Sequence, residues 1–220
     1  MRLKIDRNSY GTVLMIYFFS ALAVFLMFFF LDMPLLTWPL TALLLWFCIW
    51  QTSFFHVPER QRAGSDKLVS SVCDGKVVIC EKAFESEVLN RECFQISVYM
   101  NFFDVHANFW PVSGTVTYFK YHPGQHMLAF KPKASLENEH TCTIVTTPDG
   151  QEVFFKQIAG GFARRIVGYG KKQTEALAGA QCGIIKFGSR IDIFLPLDAK
   201  ILVKNGDYVR ACETVLAELN

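Results

Sequence analysis

Apolar and polar positions divide the chain into two parts with different periods. Residues 12–31 (TVLMIYFFSALAVFLMFFFL) run without a charge for the roughly 20 positions that a membrane-crossing helix requires. After Asp32 and Pro34 a second uncharged run continues to Phe55, with Pro39 near its start. The pattern predicts a two-helix transmembrane hairpin over residues 12–55, preceded by a short N-terminus at 1–11. Composition then turns polar, with Pro58 and Gly64 as breakers, and residues 56–67 read as a linker. From residue 68 the period falls to two. Short alternations rich in β-branched and aromatic residues predict strands at 76–79, 94–100, 114–119, 143–147 and 152–155, with Pro148-Asp149-Gly150 as a hairpin turn. Residues 156–167 are a helical candidate that Gly160-Gly161 weakens, a strand ending being the alternative. Residues 171–178 form another short polar segment.

The C-terminal stretch 199–219 reads strand, Asn205-Gly206-Asp207 turn, strand, and resembles the closing hairpin of biotinyl and lipoyl barrel sandwiches. Asp74-Gly75-Lys76-Val77 looks like a matching turn and strand near the other end. The expected fold is mainly β, a β-sandwich of barrel-sandwich type with few short helices, over residues 68–220.

Charge adds a topology. Arg2, Lys4 and Arg7 precede the first apolar run, and Arg60, Arg62 and Lys67 follow the second, so the positive-inside rule puts both ends in the cytoplasm. A cleaved signal peptide fits less well, because the first run is long for an h-region and lacks a small-x-small exit. A net charge of +2, with no dense Lys/Arg cluster, argues against a nucleic-acid partner. The seven cysteines are scattered, odd in number and free of C-x-x-C pairs, as reduced core thiols would be.

Candidate chemistry is sparse. Gly188-Ser189 lies inside an apolar, strand-like run at 183–196, where the serine hydroxyl could turn back on the preceding carbonyl. An ordinary turn is the commoner fate of such a pair. His106, between a strand and a proline turn, has an ordinary pKa near neutrality that suits proton transfer, though a lone histidine is usually satisfied by backbone carbonyls. Asp74 by its spacing alone is a turn former. His122 and His126 have a four-residue gap, but Pro123 and Gly124 break the helix that would align them, a pair within a loop being the alternative. His56 and His140 show no partners in sequence, and no metal is expected.

Several ordered segments carry a more specific likeness: Asp74-Gly75-Lys76-Val77, Val105-His106-Ala107-Asn108, Lys133-Ala134-Ser135-Leu136-Glu137-Asn138-Glu139, Gln157-Ile158-Ala159-Gly160 with Ala163-Arg164-Arg165-Ile166-Val167, and Phe187-Gly188-Ser189-Arg190-Ile191-Asp192. In these the chain resembles phosphatidylserine decarboxylase proenzymes of the short, membrane-anchored bacterial type. The resemblance implies that Asp74 and His106 activate Ser189, which attacks the Gly188 carbonyl in an N-to-O acyl shift. β-Elimination then yields a beta chain (1–188) and an alpha chain (189–220) whose first residue has become a pyruvoyl group. That covalent cofactor forms a Schiff base with phosphatidylserine, and loss of CO2 gives phosphatidylethanolamine.

The same resemblance implies a bilayer phospholipid as substrate, the two chains of one precursor as partners with room for a homodimer, and a bacterial inner-membrane location with the catalytic domain in the cytoplasm. Phe102 and Phe103, with Phe109 and Trp110, are candidates for an apolar lip at the lipid, a buried cluster being the alternative. Arg164, Arg165 or Lys186 are candidates for the lipid phosphate, solvated surface charge being the alternative. The chain departs from the family pattern at Cys73, where alanine is usual, at Phe103, where longer enzymes place a histidine, and at His140, where arginine often follows Asn-Glu.

Two other functions compete. A tethered lipoyl or biotinyl carrier would need a modifiable lysine beside methionine, and no Met-Lys pair occurs. A serine hydrolase would need a Gly-x-Ser-x-Gly elbow, which is absent.

Overall fold

The computed structural model describes residues 4–31, 33–62, 64–65, 67–125, 127, 134–160, 165–186 and 189–220. The chain divides into two compact units, Met1–Pro58 and Glu59–Asn220.

In the first unit the two apolar runs form helices α1 (Tyr10–Phe30) and α2 (Pro34–Phe55), each long and apolar enough to cross a membrane. Proline at the first position of α2 leaves unmade only a backbone bond that no helix start makes. Thr37 and Thr41 donate back to main-chain carbonyls one turn earlier. Thr52 donates to the Cys48 carbonyl (2.9 Å), so Tyr17, 2.7 Å away, donates to Thr52. Val57 N bonds Lys4 O at 2.7 Å and Asp6 N bonds Phe55 O at 2.9 Å, so the hairpin's entry and exit share one end. Phe18, Phe29, Leu35 and many other large apolar side chains face outward, an apolar surface far larger than water-soluble monomers carry.

The second unit is mainly β. Its strands are β1 (Leu68–Ser70), β2 (Gly75–Glu85), β3 (Arg91–Met100), β4 (Ala107–Phe109), β5 (Gly114–His122), β6 (His140–Thr146), β7 (Glu152–Ala159), β8 (Arg165–Gly168), β9 (Glu175–Ala176), β10 (Gln181–Lys186), β11 (Ser189–Leu195), β12 (Lys200–Ile201), β13 (Tyr208–Val209) and β14 (Val215–Glu218); the one-turn helix α3 (Ala134–Glu137) lies between β5 and β6. They form an eight-stranded antiparallel sheet in the order β13-β2-β3-β11-β7-β6-β5-β9, and two three-stranded sheets, β4-β10-β8 and β1-β14-β12.

The expected turns are present. Gly150 follows Pro148-Asp149 at φ +80°, and its N–H bonds Thr147 O at 2.9 Å to reverse the chain between β6 and β7. The Asn205-Gly206-Asp207 turn docks on β2, with Val77 N on Asp207 O (2.8 Å) and Gly206 N on Val77 O (2.9 Å). Tyr208 then pairs with Lys76 and Val209 with Gly75, so the two ends of the β unit close on each other as the likeness to barrel sandwiches implies.

The helical reading of 156–167 fails. Its first part completes β7 and its last part is β8, while residues 161–164 lie outside the described residues. Residues 171–178 contain a turn and β9. β7 starts at the predicted strand 152–155 and is buried along nearly its whole length, which erases the polar alternation that would have extended the strand to Ala159.

One face of the large sheet packs Ile191, Ile193 and Leu195 of β11 against Val77, Ile96, Val98 and Phe155 in the main core. The other face carries a smaller cluster around Cys142, Phe154 and Phe194, beside buried ions. Lys156 Nζ lies 2.8 Å from Glu85 Oε1 and 2.6 Å from Glu87 Oε2. Arg190 and Asp192 pair through two contacts of 2.7 and 2.8 Å, with Ser135 hydrogen-bonded to both. Each charge in these two groups meets an opposite one, the condition under which burial is tolerated.

Candidate active site

Ser189 opens β11 and is fully buried, with Met100 at the end of β3 on one side and Ala159 at the end of β7 on the other. Its hydroxyl lies 3.7 Å from Met100 Sδ, a weak acceptor. After Met100 the chain turns through residues 101–106 and enters β4; after Lys186 it passes through Phe187 and Gly188, outside the described residues, and enters β11. β3 pairs with β11, and β4 pairs with β10, so the chain passes between the same two sheets both after Met100 and before Ser189. His106 lies on the first of these links, its carbonyl accepting from Ile185 N of β10 at 3.3 Å.

His106 is fully buried, and Nδ1 lies 2.8 Å from the Asp104 carbonyl. A carbonyl only accepts, so Nδ1 carries the proton and Nε2 the lone pair. Burial, opposed by that hydrogen bond and by the charge of Asp74, pushes the imidazole pKa down to about 4. The expectation of a group poised near neutrality is therefore corrected. At neutral pH His106 is an uncharged base.

Asp74 lies just before β2, two residues ahead of Lys76, which pairs with Tyr99 next to Met100. Gly75 holds φ +148°, and a Cβ there would sit 2.2 Å from Tyr99 O, so a glycine must follow Asp74 for β2 to start against β3. The Asp74 carboxylate accepts from Arg60 Nη2 (2.7 Å) and from Ala211 N (2.8 Å). Arg60, one of the charges that follow the second apolar run, has its side chain largely buried against Asp74. Asp74 reaches His106 through its field, and the atom that fixes the ring is the Asp104 carbonyl.

Three further residues brace this corner. Asp104 accepts from Asn101 N (2.8 Å) and from the Tyr208 hydroxyl, and Asn101 Nδ2 donates to Tyr208 at 3.0 Å. Burial and the nearby Asp74 raise the Asp104 pKa. The braced turn sends the Asp104 carbonyl inward to His106 and Phe102 and Phe103 outward, Phe103 being 75% exposed. Phe109 and Trp110, the other candidates for a lip, are buried instead; Trp110 packs edge-to-face on Phe155 at 6.0 Å. Arg165 and Lys186 are cross-strand partners of β8 and β10, three residues or fewer from Ser189 in the case of Lys186. Arg164, Gly188 and His126 lie outside the described residues. Far along the large sheet Glu87, His122, His140 and Cys142 gather their side chains, a cluster that sequence spacing did not reveal.

The β scaffold thus carries a buried serine at the start of β11, an uncharged histidine between β3 and β4, and a carboxylate whose charge acts on that histidine. Residues 47–217 match the sequence profile of the family described as phosphatidylserine decarboxylase, and the chain belongs to that family of carboxy-lyases. It is 46% identical over 171 residues to the phosphatidylserine decarboxylase proenzyme of Amoebophilus asiaticus, covering 78% of this chain and 76% of that one. The corresponding proenzyme of Cytophaga hutchinsonii is 44% identical over 165 residues, 75% of each chain. That of Porphyromonas gingivalis is 33% identical over 220 residues, 99% of each, and so extends through the apolar N-terminal helices.

Proposed function

We propose that this chain is a precursor that cuts itself between Gly188 and Ser189, converts Ser189 to a pyruvoyl group, and then decarboxylates phosphatidylserine to phosphatidylethanolamine at a bacterial inner membrane. Two observations carry the reading: Ser189 is fully buried at a strand end beside Met100, and His106, buried on the segment that follows Met100, holds its proton on Nδ1. His106 Nε2 takes the Ser189 proton, and the freed alkoxide adds to the Gly188 carbonyl. The C–N bond then breaks, the proton passes to the departing amine, and an ester joins Gly188 to the serine oxygen. Loss of the Cα proton of residue 189 expels the Gly188 carboxylate, and hydrolysis of the resulting dehydroalanine releases ammonia.

The environment fits the product of these steps. A plain hydrolytic cut would leave an ammonium at residue 189, where the side chain has no solvent exposure, and an unpaired buried charge is costly. A neutral keto group at that strand end adds no charge. When formed, the pyruvoyl group supplies an electron sink for the pair left as CO2 departs. Around it, Arg165 and Lys186 hold two positive charges opposite each other across β8 and β10, an arrangement that an anionic headgroup relieves. The two-helix anchor tethers the catalytic unit to the bilayer that holds its substrate, with both hairpin ends in the cytoplasm.

Intact-mass measurement of the purified protein tests the cut. Two polypeptides are expected, residues 1–188 and a 189–220 fragment lacking a free amino terminus. A single full-length species with an intact serine hydroxyl overturns the proposal.

Phe103 has a separate role in this reading, since its exposed ring beside the site suits insertion among lipid chains. Phe103→Ser should raise KM for vesicle-borne phosphatidylserine by roughly tenfold, corresponding to about 1.4 kcal/mol of lost apolar contact. A monomeric short-chain substrate should show a smaller change. Equal KM values on vesicles for the two proteins would remove Phe103 from the lipid contact.

A further inference from the structure

The β2–β3 turn and the β5–β6 strand pair bring together four side chains that play no part in the decarboxylase site. Glu85 accepts from Val88 N (2.8 Å) and Leu89 N (2.7 Å), fixing the turn that carries Glu87. His122 of β5 pairs with His140 of β6, and their rings stack at 4.6 Å. Cys142 lies two residues after His140, hence on the same sheet face, where it pairs with Lys156 of β7. The donor atoms of Glu87, His122, His140 and Cys142 all lie within 4.8 Å of one another.

The hydrogen bonding of His140 leaves an open requirement. Nδ1 is 2.7 Å from the Asn138 carbonyl, so it donates there, and Nε2 is 2.9 Å from Glu87 Oε1, another acceptor. His122 Nδ1 approaches the same oxygen at 3.3 Å, and its Nε2 is buried without a hydrogen-bond partner. His122 can meet Glu87 by donating from Nδ1, but His140, with its proton on Nδ1, turns the Nε2 lone pair to a carboxylate, and that approach needs a cation, either an added proton or a metal ion.

We propose that Glu87, His122, His140 and Cys142 form a structural zinc site. Two imidazoles, a thiolate and a carboxylate are the ligand types zinc takes in closed four-coordinate sites, whereas magnesium and calcium require oxygen. Zinc–ligand bonds of about 2.0–2.3 Å put neighbouring donors roughly 3–4 Å apart, so side-chain rotation of about 1 Å closes the shell without moving a strand. The His140 Nδ1–H bond to a main-chain carbonyl is the outer contact that usually orients a ligating imidazole. Asn138 is itself locked, its amide donating to Met127 O and Ala159 O at 2.7 Å each.

On binding, the Cys142 S–H bond breaks, its proton goes to solvent and an S–Zn bond forms. The local charges then balance, with Glu85, Glu87 and the thiolate set against Lys156 and the dication. The ion would pin the β2–β3 turn to the strands on either side of residues 123–139.

The test uses the full chain in detergent, stripped with chelator and then given zinc or cobalt. One equivalent of zinc should be retained through gel filtration and should raise the melting temperature. The cobalt form should show thiolate-to-metal charge transfer. Cys142→Ala should abolish that band and weaken zinc binding at least about tenfold, with His122→Gln weakening it comparably. Circular dichroism establishes that each variant is folded. Should either variant fail to fold, the wild-type measurements decide. No retained zinc and an unchanged melting temperature overturn the proposal, as does a charge-transfer band that survives in folded Cys142→Ala.

Discussion

Ser189→Ala is expected to give a single uncut chain with no decarboxylase activity. The substitution removes one oxygen from a side chain packed between strand ends, and that oxygen's described contact is a 3.7 Å approach to a thioether. Little stability should be lost with it, well within the roughly 0.5–1.5 kcal/mol of an ordinary hydrogen bond. The chain should therefore fold, reach the membrane and stop as precursor. Electrophoresis with mass analysis separates the outcomes: one band at full length supports the assignment, and a cut in the alanine variant would place the nucleophile elsewhere.

His106→Ala should slow self-cleavage by roughly 10²- to 10⁴-fold, the usual contribution of a positioned general base. The pH dependence of cleavage in freshly translated wild-type precursor gives the more discriminating result. With the imidazole held at about 4 by burial, its neutral fraction scarcely changes from about pH 6 to 8, and the rate should stay flat there. It should fall only as pH approaches 4. A rate that halves near 6.5, the ordinary histidine value, would exclude buried His106 as the base. Stability follows the same sign. The unfolded histidine takes a proton near 6.5 and the folded one resists until about 4, so stability is full above 6.5 and declines as pH falls through that window.

The sequence revealed the parts of this molecule that depend on near neighbours. The apolar runs of α1 and α2, the alternation in β3 and β5, and the Pro-Asp-Gly and Asn-Gly-Asp turns each follow from a few adjacent residues. The second half of β7, residues 156–159, did not, because burial on both faces removes its period, and Lys156 is placed in the interior by Glu85 and Glu87, about seventy positions earlier in the chain. The candidate site divides in the same way. Ser189, His106 and Asp74 stood in recognisable motifs, but Arg60 on Asp74, Tyr208 on Asp104 and the His122–His140 stack join residues through sheet register, which spacing along the chain does not encode. The ordinary pKa of His106 misled for a related reason, since its shift is set by walls that fold around it.

β11 lies between β3 and β7 in the interior of the widest sheet, β13 adds to β2, and β14 bridges β1 and β12. A nick ahead of Ser189 would divide the polypeptide without dividing the folded body. The 32-residue piece would remain woven into two sheets, with Ile191, Ile193 and Leu195 on one side and Phe194 on the other still shielded from water. Such a fragment has no exit short of melting the interior. Once out, it would face a bimolecular search for a groove that its partner strands no longer hold open, so the proposed maturation would be a one-way passage for the fold as well as for the covalent chain.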